Sequence, residues 1–161
     1  VTSTSDPLQR SEATTVSDDG STIWGTSTIS SGFETRVVRW NVGTLQAELI
    51  SPIPDTEFVF VFDCSADGKY AVGNNRTTRG ARPLYVTPSG PTLLPRLSGG
   101  GDALASGITP DGKTVVGYQA QESGVTPTIW RSGVGTEALP GLNARSIEGR
   151  PLQIAQNGTI A

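Results

Sequence analysis

The feature that most constrains this chain is a ten-residue pattern that recurs along it. Its clearest copy spans residues 108–117 and reads Ile-Thr-Pro-Asp-Gly-Lys-Thr-Val-Val-Gly. Earlier copies occupy residues 16–25 and 64–73, and a shorter one begins at residue 154. Successive turn glycines of these copies are 48, 44 and 46 residues apart. A period of this length is typical of proteins built from repeated structural units.

Each copy has the chemistry of a β-hairpin. Aliphatic residues flank an Asp-Gly or Asn-Gly pair, in which glycine accepts a positive φ angle and the Asp side chain bonds the turn backbone. We therefore expect a tight, two-residue turn in each copy. Asp19, Asp67 and Asp111 occupy equivalent turn positions. This equivalence favours a role in the turn over one in acid–base catalysis.

Two further short strands follow each hairpin, which makes four strands in roughly 45 residues, the size of a propeller blade. No window shows sustained helical periodicity. The sequence therefore predicts an all-β, β-propeller-like array within a single repeat domain spanning residues 1–161. About three four-stranded blade units are expected, with partial units at both ends. The predicted units are 13–54, 55–99 and 100–145, followed by a partial unit at 146–161.

Finer features of the repeat give finer expectations. Glycines 25, 73 and 117 are predicted to end the second strand of each unit, with loops at 25–33, 74–80 and 119–125. Trp40, Tyr85 and Trp130 are predicted to share one position of the third strand. The apolar run 58–62 reads Phe-Val-Phe-Val-Phe without alternation, which predicts an inner strand buried on both faces.

Three and a half blades are too few to close a propeller, which usually has four to eight. Three arrangements remain open: a fragment of a longer protein, two copies combining in one ring, and an open solenoid. We favour the fragment, because Ala161 falls where the other copies continue through the strand. The expected partner is therefore either a second chain or the remaining blades, which would complete the propeller.

Composition limits the functions that this chain can have. The formal net charge is −3 and the basic residues form no block, so no nucleic-acid partner is expected. No apolar run is long enough to span a membrane. The chain has a single cysteine and no histidine. These absences argue against a histidine-based catalytic triad and against a zinc site, so no catalytic residue, metal site or cofactor is predicted.

One set of side chains has the chemistry of a ligand site. Aromatic rings can stack on a sugar while neighbouring guanidinium groups donate hydrogen bonds to it. The residues of this kind that we consider for ligand binding are Trp24, Arg39, Trp40, Arg82, Tyr85, Trp130 and Arg131. The alternative is that the aromatic residues pack the blades, since each unit contains one. Trp24 stands apart, because its counterparts in the other copies are valines.

The repeat resembles a known family. The pattern Ser-x-Asp-Gly-x-x-Val-Val-Gly, followed by a variable loop and an aromatic-ended strand, is similar to the bacterial extracellular HAF repeat. Residues 108–118 are a close match, and the resemblance covers most of residues 13–161. The chain departs from the family at the His-Ala-Phe tripeptide, which it lacks, so it is identified as a diverged relative. The resemblance implies a propeller-like fold and a secreted or cell-surface location in bacteria.

These observations favour a secreted or cell-surface interaction module without catalysis, adhesive or carbohydrate-binding, whose partner is a glycan or a surface protein. The alternatives are a fragment of a propeller-type polysaccharide-active enzyme, which would use acidic and arginine side chains, and a purely structural spacer. A spacer predicts that no ligand binds and that Trp24→Ala has no effect.

Overall fold

The computed structural model describes residues 10–29, 34–122 and 124–140. Within these ranges the chain forms β-strands and no helix. The twelve strands are β1 (Ser11–Val16), β2 (Thr22–Ile29), β3 (Glu34–Asn41), β4 (Gln46–Leu49), β5 (Phe58–Cys64), β6 (Ala71–Thr77), β7 (Gly80–Thr87), β8 (Gly90–Leu93), β9 (Ala103–Ile108), β10 (Thr114–Gln121), β11 (Gly124–Arg131) and β12 (Gly135–Ala138). The predicted partial unit 146–161, with the fourth copy of the repeat, lies outside the described residues.

The strands form three antiparallel sheets, each made of four strands that are consecutive in sequence. This confirms the predicted all-β, propeller-like architecture, and we call the sheets blades 1, 2 and 3 in chain order. Because four strands run back and forth in each blade, its first turn and its exit lie at opposite ends. The hairpin end carries turns 17–21, 65–69 and 109–113, and the connections 50–57 and 94–102 leave their blades towards the linker end.

The apolar core lies between the blades. One cluster joins Trp24 and Val37 of blade 1 to residues of blade 2 that include Val61. A second cluster joins Val72 of blade 2 to residues of blade 3 that include Trp130. A single four-stranded sheet cannot bury either of its faces, so each blade is stabilised by its neighbour.

Backbone hydrogen bonds also join the blades at the hairpin end. The amide of Asp18 donates to the carbonyl oxygen of Ala66, and the amide of Ala66 donates to that of Pro110, both at 3.0 Å. The three residues hold the same position in their turns, so the contact repeats from one blade to the next. Proline has no amide hydrogen, so Pro110 can accept in this series but cannot donate.

The turns confirm the structural role of their aspartates. In blade 2 the Ser65 hydroxyl donates to Asp67 at 2.8 Å and accepts the amide of Tyr70 at 3.1 Å. The corresponding bonds recur in the turns of blades 1 and 3. The Gly68 amide closes a four-residue turn onto the Ser65 carbonyl, with φ of 65° at Gly68. The expected two-residue turn is therefore wrong. Each hairpin has a four-residue loop, and the hydroxyl of the Ser or Thr before the loop accepts the amide of the residue after it.

The repeat glycines do not end the second strands, as the sequence suggested. The strands continue to residues 29, 77 and 121, so the predicted loops begin too early. The first strand of each blade has a register shift opposite its glycine. A Cβ atom on Gly25, Gly73 or Gly117 would lie 1.8–1.9 Å from a carbonyl oxygen of that first strand. These glycines therefore permit close approach of two strands at a bulge.

The predicted common position of Trp40, Tyr85 and Trp130 is also wrong. Trp40 and Trp130 pair with residues two before the repeat glycine of their blade. Tyr85 pairs with Val72, one residue before the glycine. Because successive residues of a strand point to opposite faces, the Tyr85 side chain lies on the opposite face of its blade from the position that the two tryptophans share.

The run 58–62 does not bury both faces. Val59 and Val61 are 4% and 1% exposed and pack towards blade 1, whereas Phe60 and Phe62 are each 44% exposed. Strand β5 is the first strand of blade 2 and pairs only with β6. The face that carries Phe60 is turned away from blade 1 and keeps contact with solvent. Burial therefore alternates along this strand, although its sequence is apolar throughout residues 58–62.

Candidate functional site

The residues predicted to bind a ligand do not form one surface. Trp24 and Arg39 lie at the hairpin end between blades 1 and 2. Tyr85, Trp130 and Arg131 lie at the hairpin end between blades 2 and 3, and Arg82 lies at the linker end. Trp40 follows Arg39 on β3 and therefore belongs to the opposite face of blade 1.

Trp24 is buried in the junction between blades 1 and 2, with 1% of its surface exposed. Its indole N–H donates to the carbonyl oxygen of Gly68, in the next hairpin, at 2.9 Å. The guanidinium of Arg39 lies 5.5 Å from the centre of the ring, a cation–π contact, and also pairs with Glu48. In this arrangement the Trp24 side chain joins two blades.

Tyr85 makes the equivalent contact in the next junction. Its hydroxyl donates to the carbonyl oxygen of Gly112 at 2.8 Å, and its ring stacks on Tyr70 with centroids 5.7 Å apart. Burial raises the pKa of Tyr85 to about 12, so the phenol stays protonated and remains a donor. Gly112 is the turn glycine of blade 3, as Gly68 is that of blade 2.

Trp24 and Tyr85 are thus two ways of making one contact. Trp24 on the second strand pairs with Arg39, and Val72 pairs with Tyr85 on the third strand. Blade 1 therefore places its aromatic donor on one member of this cross-strand pair, and blade 2 places it on the other. Trp24 differs from the valines at its position in the other blades, and in blade 2 Tyr85 makes the contact that Trp24 makes in blade 1.

Trp130 and Arg131 also have partners within the described chain. Trp130 is 2% exposed, and its indole N–H donates to the carbonyl oxygen of Pro95 at 2.6 Å. The exposed Arg131 pairs with Glu137 on the neighbouring strand. The polar groups of both residues are therefore used within the fold.

Arg82 belongs to a different site, a cleft of about 580 Å³ at the linker end. The cleft lies between the connection from blade 1 to blade 2, the β6–β7 turn and the outer strands of blade 2. We call it the linker cleft. Its walls carry three guanidinium groups, two carboxyl groups and two apolar side chains: Arg79, Arg82, Arg96, Asp55, Glu57, Pro54 and Leu93.

The three arginines of the linker cleft have no carboxylate within 4.0 Å among the described residues. Ion pairs of that kind involve five other basic side chains: Arg36, Arg39, Lys69, Lys113 and Arg131. Arg96 donates one hydrogen bond, to the carbonyl oxygen of Gly101. Burial, and secondarily the charge of Arg96, lowers the pKa of Arg82. The cleft therefore holds neighbouring cations that form no ion pair within the described part of the chain.

Two buried donors lie beside these cations. Arg82 Nε and Asn75 Nδ2 are buried without a hydrogen-bond partner in the described part of the chain. The two residues are directly opposite each other on β7 and β6, and Asn75 is 1% exposed. Asn75 Oδ1 lies 2.7 Å from the hydroxyl of Thr56, which lines the cleft. Asn75 lines a neighbouring small cavity and not the linker cleft, so the unpaired donor on the wall of the cleft is Arg82 Nε, and it favours an acceptor there.

Sequence reasoning selected Arg82 but missed Arg79, Arg96 and Asp55. These residues belong to a turn and to two connections between blades, and they come together only through the packing of blades. Arginine outnumbers lysine ten to two in the chain, which was the one available signal. Composition alone does not say where such arginines meet.

No family model and no curated protein matches this sequence. Several solved structures resemble its fold. TolB from Acinetobacter baumannii matches with a TM-score of 0.65 and 16% identity, over 93% of this chain and 36% of that one. A prolyl endopeptidase matches with a TM-score of 0.60 and 15% identity, over 85% and 23%. Prolyl oligopeptidase B from Galerina marginata matches with a TM-score of 0.53 and 12% identity, over 91% and 24%.

This chain spans about a third or less of the length of each of these structures. Within the described residues, no helix is long and apolar enough to cross a membrane. At identities this low, a structural match establishes the fold and nothing about activity. The described blades therefore have a β-propeller-like fold.

Proposed function

We propose that this chain is a non-catalytic β-propeller interaction module of a bacterial secreted or cell-surface protein, and that it binds an anionic ligand in the linker cleft. One observation carries the proposal. Arg79, Arg82 and Arg96 line one cleft without a carboxylate partner among the described residues. Guanidinium groups gathered in this way favour carboxylate, sulfate or phosphate groups.

The aromatic residues at the hairpin end already have hydrogen-bond partners within the fold, whereas the arginines of the linker cleft form no ion pair among the described residues. The N–H of Trp24, the hydroxyl of Tyr85 and the N–H of Trp130 all donate to backbone carbonyls. A ligand there would have to displace contacts between the blades. The location is proposed from the likeness of the repeat to HAF repeats, with this chain as a diverged member.

We further propose that additional blades complete the propeller, either in the same polypeptide or in a second chain. The short span of this chain relative to the TolB structure supports this. Without further blades, the outer faces of the first and last blades would have no neighbouring sheet to bury their apolar side chains.

Retention on immobilised polymers tests the binding proposal. The full chain is passed at low salt over polygalacturonate, dextran sulfate, polyglutamate and neutral dextran. We expect retention on at least one anionic polymer, lost at high salt, and none on neutral dextran. Arg82→Gln should weaken retention, and Arg76→Gln, on the opposite face of blade 2, should not. Equal behaviour of all anionic and neutral columns would contradict the proposal.

The same polymers test the absence of catalysis. Prolonged incubation of the chain with a polysaccharide on which it is retained should release no new reducing ends. Release that disappears on substitution of Asp55 or Glu57 would instead support a polysaccharide-active enzyme.

A further inference from the structure

We propose that the linker cleft recognises an acidic, hydroxyl-rich glycan, and that the unit it binds is a hexuronate. This inference rests on the proposed function and names the ligand class of the same site. Positive, negative and apolar groups all line the cleft.

The positive wall fits a carboxylate. Arg82 and Arg96 are close enough for the charge of one to disfavour the charge of the other. A carboxylate between two guanidinium groups accepts paired, charge-assisted hydrogen bonds and relieves their repulsion. Arg79, in the exposed β6–β7 turn, adds a third guanidinium group to the residues that line the cleft.

A buried donor on the wall of the cleft points to the same chemistry. Arg82 Nε has no acceptor among the described residues, although the atom is buried. A ligand rich in oxygen atoms supplies an acceptor for such a donor, directly or through a bound water molecule.

The acidic rim separates a uronate from other anions. Asp55 and Glu57 face the same cleft as the arginines. Their carboxylates repel a densely charged ligand such as a multiply sulfated glycan, and a polyglutamate chain has no hydroxyl groups to donate to them. A hexuronate carries one charge per ring together with several hydroxyl groups, which donate hydrogen bonds to carboxylates. A ligand that is both acidic and rich in donors therefore suits the whole cleft.

The remaining lining also suits a sugar bound by polar contacts. Pro54 and Leu93 offer apolar surface to the C–H groups of a ring, and the residues described as lining the cleft include no aromatic side chain. We therefore expect recognition through charge and hydrogen bonds, with affinity that falls as salt rises.

Calorimetric titration of the full chain tests the ligand class. The probes are trimers of galacturonate and of mannuronate, the fully methyl-esterified galacturonate trimer, a sulfated trisaccharide and hexaglutamate. We expect at least one uronate trimer to bind, with the methyl ester at least about tenfold weaker, because esterification removes the charged acceptor. Hexaglutamate and the sulfated sugar should bind more weakly than the uronate.

Matched arginine variants locate the binding. Arg82→Gln and Arg79→Gln should each weaken uronate binding roughly tenfold, as expected for loss of a charge-assisted contact. Arg79 is exposed in a turn, so its variant keeps the test valid if Arg82→Gln destabilises the fold. Arg76→Gln is the control, because Arg76 lies on the other face of the same strand pair. Equal losses at positions 76 and 79 would overturn the assignment.

Asp55→Asn tests the acidic rim. Asp55 has a φ angle of 64°, a conformation that asparagine also tolerates, so the variant should fold. It should narrow the preference for the uronate over hexaglutamate several-fold, because it removes a charge that repels hexaglutamate and leaves a weaker, neutral acceptor for the hydroxyl groups of the uronate. Tighter binding of hexaglutamate or the sulfated sugar by the wild-type chain would overturn the glycan inference and leave the proposed function standing. Failure of every anionic probe would overturn both.

Discussion

Trp24 shows how a single residue contributes to this fold. Its indole fills the junction between blades 1 and 2, and its N–H satisfies the carbonyl oxygen of Gly68. The corresponding position in the other blades holds valine, which fills less space and has no donor. The stability of the chain should therefore depend on both the volume and the hydrogen bond of this side chain.

Two substitutions separate these contributions. Trp24→Phe keeps most of the ring but leaves the Gly68 carbonyl without its donor, so we expect a loss of about 1–2 kcal/mol in the free energy of unfolding. Trp24→Val also opens a cavity and should cost ~3–5 kcal/mol. Urea denaturation of the full chain measures both losses.

Trp40→Phe is the control, because Trp40 is only partly buried and has no comparable bond among the described residues. It should cost less than about 1 kcal/mol. Unchanged stability of Trp24→Val would show that Trp24 does not join the blades and would restore the ligand and spacer interpretations.

At the scale of the strand, each repeat glycine leaves room for the bulge in the strand opposite it. Gly73→Ala would bring a Cβ within 1.8 Å of the Phe60 carbonyl oxygen. Strands β5 and β6 would have to separate, so we expect a loss of about 3 kcal/mol or more. Gly43→Ala, in an exposed turn with space for the methyl group, should change stability by less than about 0.5 kcal/mol. Similar losses in the two variants, measured by thermal unfolding, would refute this account of the bulge.

The hairpin turn predicts a dependence on pH. Hydrogen bonds from the side chain and the amide of Lys69, and from Ser65, lower the pKa of Asp67 to about 2 from an ordinary value of 3.8. A carboxyl group that is more acidic when folded stabilises the protein above about pH 4, and this contribution is lost as the pH falls towards 2.

Asp67→Asn keeps the acceptor oxygen and removes the charge. The wild-type chain should unfold at a higher temperature than this variant at pH 7, and the difference should shrink as the pH falls through 2. Because Asp67 is exposed, the effect should be small and should weaken with salt. A difference that is the same at both pH values would show that the charge has no part in it.

The elements also show which features the sequence was able to predict. The hairpins, the number of strands and the all-β class follow from local chemistry, such as glycine at positive φ in the Asp-Gly turns. The lengths of the second strands and the face of Tyr85 follow from pairing with neighbouring strands. The polar residues 74–77 resemble a loop until β5 and β7 flank them.

The site was less predictable than the fold. Arginine beside aromatic residues suggested a sugar platform, yet the aromatic donors are used to join blades. The linker cleft takes its groups from connections that lie outside the repeat, so no repeat pattern marks them. Only the packing of blades 1 and 2 brings Asp55 near Arg82.

At the scale of the whole molecule, the central claim is that the blades form one continuous array. Aromatic donors, apolar clusters and turn-to-turn bonds all cross from each described blade to the next. If these contacts form, the stability of one blade includes that of its neighbour.

Amide hydrogen exchange followed by NMR tests this claim most directly. The amides of Asp18 and Ala66 lie in turns, and each donates to a carbonyl oxygen of the next blade. We predict that both exchange as slowly as amides in the middle of β6 and β10, because opening them requires separating two blades. Fast exchange at both positions, while the strands within each blade stay protected, would show independent blades and would contradict the account.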